Sequence, residues 1–381
     1  MKKILSVIVV VAVTLFQTVQ ITANAQKSDK PTVNAQACVL YCVDDGKVYF
    51  SVNENKKMKP ASTTKLMTSL ITLEYADSAD KVVTFTKDMT AEGSSMYLKV
   101  GEKVKLSDLA AGMMMASGND AANAAAVSIA GSAEKFSELM NNRAAVIGMK
   151  NTHFVTPSGL DDENHYSTAY DMALLMSYAL ENESFAKLTS QKSVTVQFSE
   201  PQSKRTTYVN HNRLLSMYEY CTGGKTGYTM AAGRCLVSSA KKDGLTFVCV
   251  TLNDRNDWND HIALYNYGFS KLACVECDDS DYYLEIPCAG GDDESICVTG
   301  TKGKNVVVPF DKKSNVVRTA YADNFLYAPV KDGDIVGRIE YTLDGKTLAS
   351  TNLTAVEYSN TQNKNKSIWT KIKDFFTYGK E

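Results

Sequence analysis

Residues 60–67, with the sequence Pro-Ala-Ser-Thr-Thr-Lys-Leu-Met, begin the most constrained segment of this chain. The residues that follow, including Leu70 and Leu73, are too apolar for a surface helix and predict a buried one. Ser62 would lie at its amino-terminal end, where free N–H groups and the helix dipole favour negative charge. Lys65 follows one turn later, so its amine can contact the Ser62 hydroxyl. Burial favours the neutral amine, which can accept the serine proton and activate a nucleophile.

The pattern Ser-x-x-Lys is a weak signal alone, because it recurs at five other positions. Two further triplets single out the pattern that begins at Ser62. Residues 117–119 (Ser-Gly-Asn) begin 55 residues after Ser62, and residues 225–227 (Lys-Thr-Gly) begin 163 residues after it. By itself, the first triplet predicts only a break between two helices, and the second predicts an extended segment that enters a sheet or, alternatively, a simple turn. Together, in this order, they match the set Ser-x-x-Lys, Ser-Asp-Asn and Lys-Thr-Gly of penicillin-binding proteins and class A β-lactamases, with Gly118 replacing the aspartate.

Length and charge narrow the class of protein. A chain of 381 residues suits two or three domains, and an apolar fraction of 44% is ordinary for globular proteins. The formal net charge is −2, and the chain has no basic block. This composition argues against a nucleic-acid partner.

Residues 1–25 have the pattern of a signal peptide. Lys2 and Lys3 precede an apolar run over residues 4–16, and Ala23-Asn24-Ala25 fits a cleavage site. The run is too short for a spanning helix. An uncleaved amino-terminal anchor is the alternative. Both interpretations predict a protein that works outside the cytoplasm.

The pattern of the mature chain predicts a catalytic domain at residues 26–277, a small all-β domain at 278–358 and a polar linker at 359–366. The catalytic domain would contain a hairpin at 38–51, buried helices, and strands at 234–239 and 246–252. Further helices are predicted at 133–147, at 260–273 and after Ser107, which is expected to cap a helix beginning at Asp108. In the β domain, strands are expected at 282–286, 305–308, 316–321, 335–341 and 354–358.

Nine cysteines are many for an exported enzyme. Cys249 lies in an apolar strand pattern and is predicted to be a small core residue. The pattern Cys274-x-x-Cys277 lacks the second Cys-x-x-Cys pair of a typical zinc site. Disulfides and free thiols remain as the two alternatives for the cysteines.

The polar loop at residues 157–166, which contains acids and His165, is predicted to be solvated. A metal site or a pH-sensing group is the alternative for this loop.

The three motifs resemble those of the serine D-alanyl-D-alanine carboxypeptidases, the low-molecular-mass penicillin-binding proteins that trim peptidoglycan stems. Residues 93–98 (Gly-Ser-Ser-Met-Tyr-Leu), 212–215 (Asn-Arg-Leu-Leu) and 224–229 (Gly-Lys-Thr-Gly-Tyr-Thr) extend the similarity. The resemblance covers essentially the whole chain. It implies an α+β, β-lactamase/transpeptidase-like catalytic domain, with an antiparallel sheet flanked by helices, followed by the small all-β domain and an amphipathic carboxyl terminus.

The resemblance also implies a role for each motif residue. Ser62 would attack the carbonyl between two D-alanines, Lys65 would accept its proton, and Ser117 would relay a proton to the leaving D-alanine. The expected substrate-binding residues are Asn119, Lys225, Thr226, Gly227, Tyr228 and Arg255. The N–H groups of Ser62 and Tyr228 would bind the oxyanion. Arg255 has two open interpretations, a ligand for the terminal carboxylate or a surface residue in a polar segment.

The implied partners are the D-Ala-D-Ala end of peptidoglycan stem peptides and β-lactam antibiotics, which would acylate and inhibit the enzyme. No metal or organic cofactor is implied. A class A-like β-lactamase is one alternative, although the chain lacks that class's Glu-x-x-Leu-Asn motif. An inactive wall-binding scaffold is the other, although every reacting residue is present.

Residues 367–381 predict an amphipathic helix at the carboxyl terminus. Ile368, Trp369, Ile372, Phe375 and Phe376 form one apolar stripe, with lysines beside it. Such a helix suits lying in the membrane surface, which would place the enzyme at the outer face of the cytoplasmic membrane, facing the cell wall. A helix packed back on the protein is the alternative.

Overall fold

A computed structural model describes residues 30–290 and 294–356 of the chain. The predicted signal peptide, linker and carboxyl-terminal helix lie outside these residues. Within the described ranges, each helix is too short or too polar to cross a membrane.

The first region, which comprises strands β1 to β9 and helices α1 to α8, is built around a five-stranded antiparallel sheet covered by helices. Its helices are α1 (Lys65–Ser78), α2 (Leu106–Ala116), α3 (Asn119–Ala130), α4 (Ala133–Ile147), α5 (Ala169–Ala179), α6 (Glu183–Thr189), α7 (Leu214–Met217) and α8 (Asp257–Lys271). Its strands are β1 (Ala37–Cys42), β2 (Lys47–Val52), β3 (Val82–Thr84), β4 (Lys103–Lys105), β5 (Ser193–Gln197), β6 (Arg205–Val209), β7 (Cys221–Thr229), β8 (Gly233–Lys242) and β9 (Leu245–Leu252).

The main sheet has the strand order β2-β1-β9-β8-β7, which leaves β7 at one edge. Alternate residues of its strands enter two different cores, as the two-residue period of a strand requires. Val39 and Val250 pack towards α1, α2 and α5, whereas Leu40 and Cys249 pack towards α8. Helices therefore cover both faces of the sheet, and Cys249 is a buried core residue as predicted.

Helix α1 lies in the larger core. Residues 65–73 are all buried, which confirms the prediction of a helix too apolar for the surface. It packs against α2, α3 and α5. The start of α1 is thereby held at the centre of the first region.

Three boundaries differ from the sequence prediction. Helix α2 begins at Leu106, because the Ser107 hydroxyl and N–H donate to Asp80 instead of capping the helix. Helix α8 begins at Asp257 and ends at Lys271, because the chain then enters strand β10 (Leu272–Val275). The hairpins β3–β4 and β5–β6 were not predicted.

The second region is a small β structure, as predicted. It contains β11 (Tyr283–Ala289), β12 (Ser295–Gly300), β13 (Val306–Pro309), β14 (Val317–Ala322), β15 (Leu326–Tyr327), β16 (Ile335–Leu343) and β17 (Lys346–Val356). Each predicted strand overlaps an observed one, but β12 and β15 were missed. Strand β17 starts eight residues before its predicted beginning, because a tight turn at Asp344 and Gly345 pairs it with β16 at once.

The two regions meet through a strand pair. Strand β13, which follows the expected boundary at residues 277 and 278, pairs with β10, which precedes it. All nine cysteines are free thiols in the structure.

Candidate active site

Ser62 lies in a single turn of 3₁₀-helix, Ala61–Thr64, that runs directly into α1. Ala61 precedes it with φ of +49°, a left-handed conformation that is costly for any residue other than glycine. The Pro60 carbonyl accepts from the Thr63 N–H at 3.2 Å and from the Thr63 hydroxyl at 2.6 Å. This turn leaves Ser62 half-buried at the amino-terminal end of the helix.

Lys65 is fully buried, and three oxygen atoms lie within hydrogen-bonding distance of its amine. The Nζ atom lies 3.1 Å from the Ser62 hydroxyl, 2.7 Å from Oδ1 of Asn119 and 2.6 Å from the Ser158 carbonyl oxygen. Burial holds the pKa of Lys65 well below its usual range, and the nearby Lys225 lowers this pKa further.

This arrangement orients a neutral amine. A neutral lysine has two N–H donors and one lone pair. Asn119 and Ser158 offer only oxygen acceptors to Lys65 and can take both donors. The lone pair is then directed at the remaining neighbour, the Ser62 hydroxyl. The geometry suits proton transfer from Ser62 to Lys65.

Ser117 and Asn119 occupy the sharp turn between two buried helices. Ser117 ends α2 in the left-handed conformation, with φ of +57°, and Asn119 is the first residue of α3. The Ser117 hydroxyl accepts from Nζ of Lys225 at 3.1 Å. The turn thus connects two buried lysines, Lys65 through Asn119 and Lys225 through Ser117.

Lys225 is buried on β7, where burial lowers its pKa to about 7. The triplet it begins lies within a regular edge strand, so a simple turn at this position is excluded. Gly227 faces the nucleophile: a Cβ atom there would lie 3.0 Å from the Pro60 carbonyl oxygen and from the N–H nitrogens of Ser62 and Thr63. Only glycine lets β7 approach the start of the helix this closely.

The other predicted ligands lie near the same end of β7. Thr226 is half-buried, and Tyr228 is 65% exposed. Tyr228 pairs with Arg234 on β8, whose carbonyl accepts from the Asp254 N–H at 2.9 Å. Arg255 therefore lies at this end of the sheet, two strands from Tyr228, with an exposed side chain. The motif residues are brought together, and Arg255 lies at the periphery.

Asp120 is a site residue that the sequence did not indicate. Its carboxylate accepts from the N–H groups of Met96 and Leu98 and from the Ser95 hydroxyl, at 2.7–3.0 Å. These bonds fasten the loop at residues 92–98 beside Asn119, whose amide donates to the Glu92 carbonyl at 2.6 Å. Its position directly after Asn119 was the only available signal.

The loop at residues 157–166 was predicted to be solvated, and for His165 this is wrong. His165 is 2% exposed and contacts the Thr64 hydroxyl at 2.9 Å. Gly159 has φ of +82°, and a Cβ atom there would lie 2.0 Å from the Ala61 carbonyl oxygen. The loop therefore packs against the nucleophile turn and supplies the Ser158 carbonyl to Lys65. No group of three or more potential metal ligands occurs among the described residues.

Comparison with known proteins identifies the family. The model of the S11 peptidases, described as D-alanyl-D-alanine carboxypeptidase, matches residues 23–256, which is more than half of the chain. The chain belongs to the S11 family of D-alanyl-D-alanine carboxypeptidases. The family expected from the three motifs is thus confirmed. A second model, the carboxyl-terminal domain of penicillin-binding protein 5, matches residues 278–359.

Relatives of this S11 chain match it over most of its length. The D-alanyl-D-alanine carboxypeptidase DacF of Bacillus subtilis is 32% identical over 94% of this chain and 94% of its own. The carboxypeptidase DacC of Escherichia coli is 34% identical over 88% of this chain and 86% of its own. The structure of penicillin-binding protein 5 from Haemophilus influenzae matches with a TM-score of 0.65 and 29% identity, over 86% of this chain and 98% of that one. The predicted fold class is confirmed.

The contact at Gly227 generates a prediction for this S11 site. Gly227→Ala places a methyl group against three backbone atoms that cannot rotate away, so β7 must move from Ser62. We expect the rate of acylation by benzylpenicillin to fall at least ~10-fold, since small misplacements at a reacting centre are costly. Stopped-flow labelling measures this rate, and thermal unfolding confirms the fold.

Thr222→Ser, on the same strand, is the control and should acylate at the wild-type rate. A normal rate for Gly227→Ala would show that the close approach of β7 is not needed.

Proposed function

We propose that this S11 enzyme removes the terminal D-alanine from peptidoglycan stem peptides through an ester formed on Ser62. The observation that carries the proposal is the buried Lys65 amine, 3.1 Å from the Ser62 hydroxyl and tied to two fixed oxygen acceptors. The names of the curated relatives support the substrate class.

Acylation begins with Lys65 in its neutral form. The Ser62 oxygen attacks the carbonyl carbon between the two D-alanines while its proton passes to Lys65. The carbonyl oxygen becomes an oxyanion, which accepts hydrogen bonds from the N–H groups of Ser62 and Tyr228. The close approach of β7 to Ser62 at Gly227 supports this pairing of donors.

The leaving D-alanine needs a proton on its nitrogen. Ser117 donates its hydroxyl proton to that nitrogen and regains the proton that Lys65 took from Ser62, so Lys65 is neutral again, whereas Lys225, 3.1 Å from the Ser117 oxygen, stays charged. Water then attacks the Ser62 ester, Lys65 takes a proton from this water, and Ser62 regains its own. The product peptide leaves with a free carboxylate.

Substrate binding uses the charge and free hydrogen-bonding groups around β7. Lys225 and the Thr226 hydroxyl bind the terminal carboxylate, which in turn raises the pKa of Lys225 and keeps it charged. Arg255 adds longer-range attraction from the edge of the site. Asn119 has a second amide hydrogen for the peptide backbone, because Glu92 takes only one. A β-lactam enters the same site and leaves a long-lived ester on Ser62.

Location follows from the two termini, which lie outside the described residues. The enzyme is exported by the signal peptide at residues 1–25. The catalytic domain at 26–277 and the β domain at 278–358 then lie outside the cytoplasmic membrane, facing the wall. The linker at 359–366 connects them to the amphipathic helix at 367–381, which binds the membrane surface peripherally.

Release of D-alanine tests the proposed activity. Mature enzyme should release one D-alanine from a peptide ending in Lys-D-Ala-D-Ala, and Ser62→Ala should abolish release because the nucleophile is gone. A coupled D-amino-acid oxidase assay measures the product. No release by folded wild-type enzyme would overturn the proposal and favour a wall-binding scaffold.

The lifetime of the benzylpenicillin adduct distinguishes a carboxypeptidase from a β-lactamase. Mass spectrometry should detect an adduct on Ser62 that persists for minutes, and free enzyme seconds after mixing would indicate a lactamase.

The two buried lysines generate a pH prediction. Lys225→Met removes a positive charge that disfavours protonation of Lys65, so the pKa of Lys65 should rise. Because acylation needs neutral Lys65, the acid limb of the benzylpenicillin acylation profile should move to higher pH. Lys187→Met, at an exposed position on α6, is the control. An unchanged limb in Lys225→Met would show that the two amines are not electrostatically coupled.

Vesicle binding tests the carboxyl-terminal helix. Mature protein should co-sediment with anionic vesicles, less so at high salt because the lysines contribute, and deletion of residues 367–381 should remove binding. D-alanine release from short peptides should survive the deletion. Equal sedimentation of both forms would exclude the helix as the anchor.

A further inference from the structure

His165 joins two segments that meet beneath the nucleophile. Its Nδ1 atom accepts from the N–H groups of Val155 at 3.0 Å and Thr156 at 3.2 Å. An Nδ1 atom that faces two donors carries no proton, so the hydrogen of the neutral ring is on Nε2. The Nε2–H group then donates to the Thr64 hydroxyl at 2.9 Å. Burial lowers the pKa of His165 to about 4, which keeps the ring neutral at ordinary pH.

A short series of bonds leads from this ring to Lys65. Thr156, held by His165, accepts the Gly159 N–H with its hydroxyl at 3.1 Å. The adjoining Ser158 carbonyl accepts from Lys65 at 2.6 Å. On the other side, Thr64 directly precedes Lys65 in the chain. The His165 ring therefore holds Thr64, which precedes Lys65, and also the segment whose Ser158 carbonyl accepts from the Lys65 amine.

Other hydrogen bonds hold the segment at residues 154–157, but they do not involve the N–H groups of Val155 and Thr156. The Thr68 hydroxyl donates to the Pro157 carbonyl at 2.6 Å, and Asn141 holds both backbone groups of Phe154 at 2.8 Å. These anchors lie on either side of Val155 and Thr156, and the Val155 carbonyl accepts from the Ser137 hydroxyl at 2.6 Å. Loss of the imidazole would take the acceptor from two partly buried N–H groups, which costs free energy and favours movement of the segment that carries them.

We propose that His165 is a positioning residue that holds the Ser158 carbonyl in place and thereby directs the Lys65 lone pair at Ser62. This inference rests on the proposed function, since it assigns a partner to the base of that reaction. His165 touches neither the substrate nor the reacting atoms. Its removal should slow the acylation step and leave the noncovalent affinity for a β-lactam unchanged.

The rate and the extent of acylation distinguish positioning from a purely structural role. Stopped-flow labelling with benzylpenicillin gives the dissociation constant, the acylation rate constant and the final labelled fraction. For His165→Ala we expect the rate constant to fall ~10–100-fold, since the base is misaligned, with an unchanged dissociation constant. His165→Asn offers an amide oxygen in place of Nδ1 and should recover part of the rate.

Two further variants complete the test. Thr64→Val removes the partner of Nε2 with little change of shape and should lower the rate severalfold. His153→Gln is the matched control: His153 bridges Tyr166 through its backbone and is exposed, and its ring contacts the Asn164 carbonyl and the Tyr166 ring but neither Thr64 nor Val155. It should acylate at the wild-type rate.

A smaller labelled fraction that acylates at the wild-type rate would overturn the inference, because His165 would then serve stability alone. If His165→Ala does not fold, wild-type rates in both His165→Asn and Thr64→Val would overturn it equally. The comparison of these variants requires that benzylpenicillin acylates the wild-type enzyme. Its absence would overturn the proposed function, and this inference with it, whereas active wild type with unimpaired variants overturns the inference alone.

Discussion

The site depends on the exclusion of water from the amine of Lys65. A lysine with no exposure loses most of the solvation that favours its charged form, so its environment has to supply the missing hydrogen bonds. Asn119 and Ser158 provide fixed oxygens for Lys65, and Ser62 completes the set. A lysine in water is protonated at neutral pH and is a poor base. Burial favours the neutral form of Lys65, and the fixed oxygens direct its lone pair at the Ser62 hydroxyl. The surrounding helices and sheet exclude water from this amine.

The cost of this arrangement is visible in the backbone. Ala61 and Ser117 both adopt left-handed conformations without being glycine, at roughly 1–3 kcal/mol each. Ala61 directly precedes the nucleophile, Ser117 is itself the proposed proton donor, and both residues are buried. The largest core, which surrounds α1, α2 and α3, offsets the strain. Strained turns at the ends of buried helices can hold polar groups with less motion than exposed loops allow.

Buried polar groups outside the site follow the same rule. In the β region, the Asp279 carboxylate is 2% exposed and binds Arg318, Tyr341 and Thr351 together. Such a carboxylate is tolerated because every partner is a donor. It links β14, β16 and β17, which form one side of the second sheet. In both regions, therefore, a buried ionisable group is hydrogen-bonded from several elements, although for different purposes.

The sequence by itself determined what depends on short spacings and on composition. Residues three apart on a helix share a face, so the contact of Ser62 with Lys65 followed from their spacing, and the apolar run after them predicted burial. The Lys-Thr-Gly triplet and the apolar patterns after it predicted strands of the sheet, whereas the position of β7 at the edge came from the structure. The order of the motifs indicated the family without any coordinate.

Only the tertiary structure decided which distant groups complete the site. Ser158 is 93 residues from Lys65, and His165 is 101 residues from Thr64. A backbone carbonyl has no signature in the sequence, and a histidine in a polar loop resembles a solvated one. Their positions depend on how the loop packs against the nucleophile turn, which Gly159 permits by lacking a side chain. Contacts of this kind arise from the packing of whole elements, and local patterns of residues do not encode them.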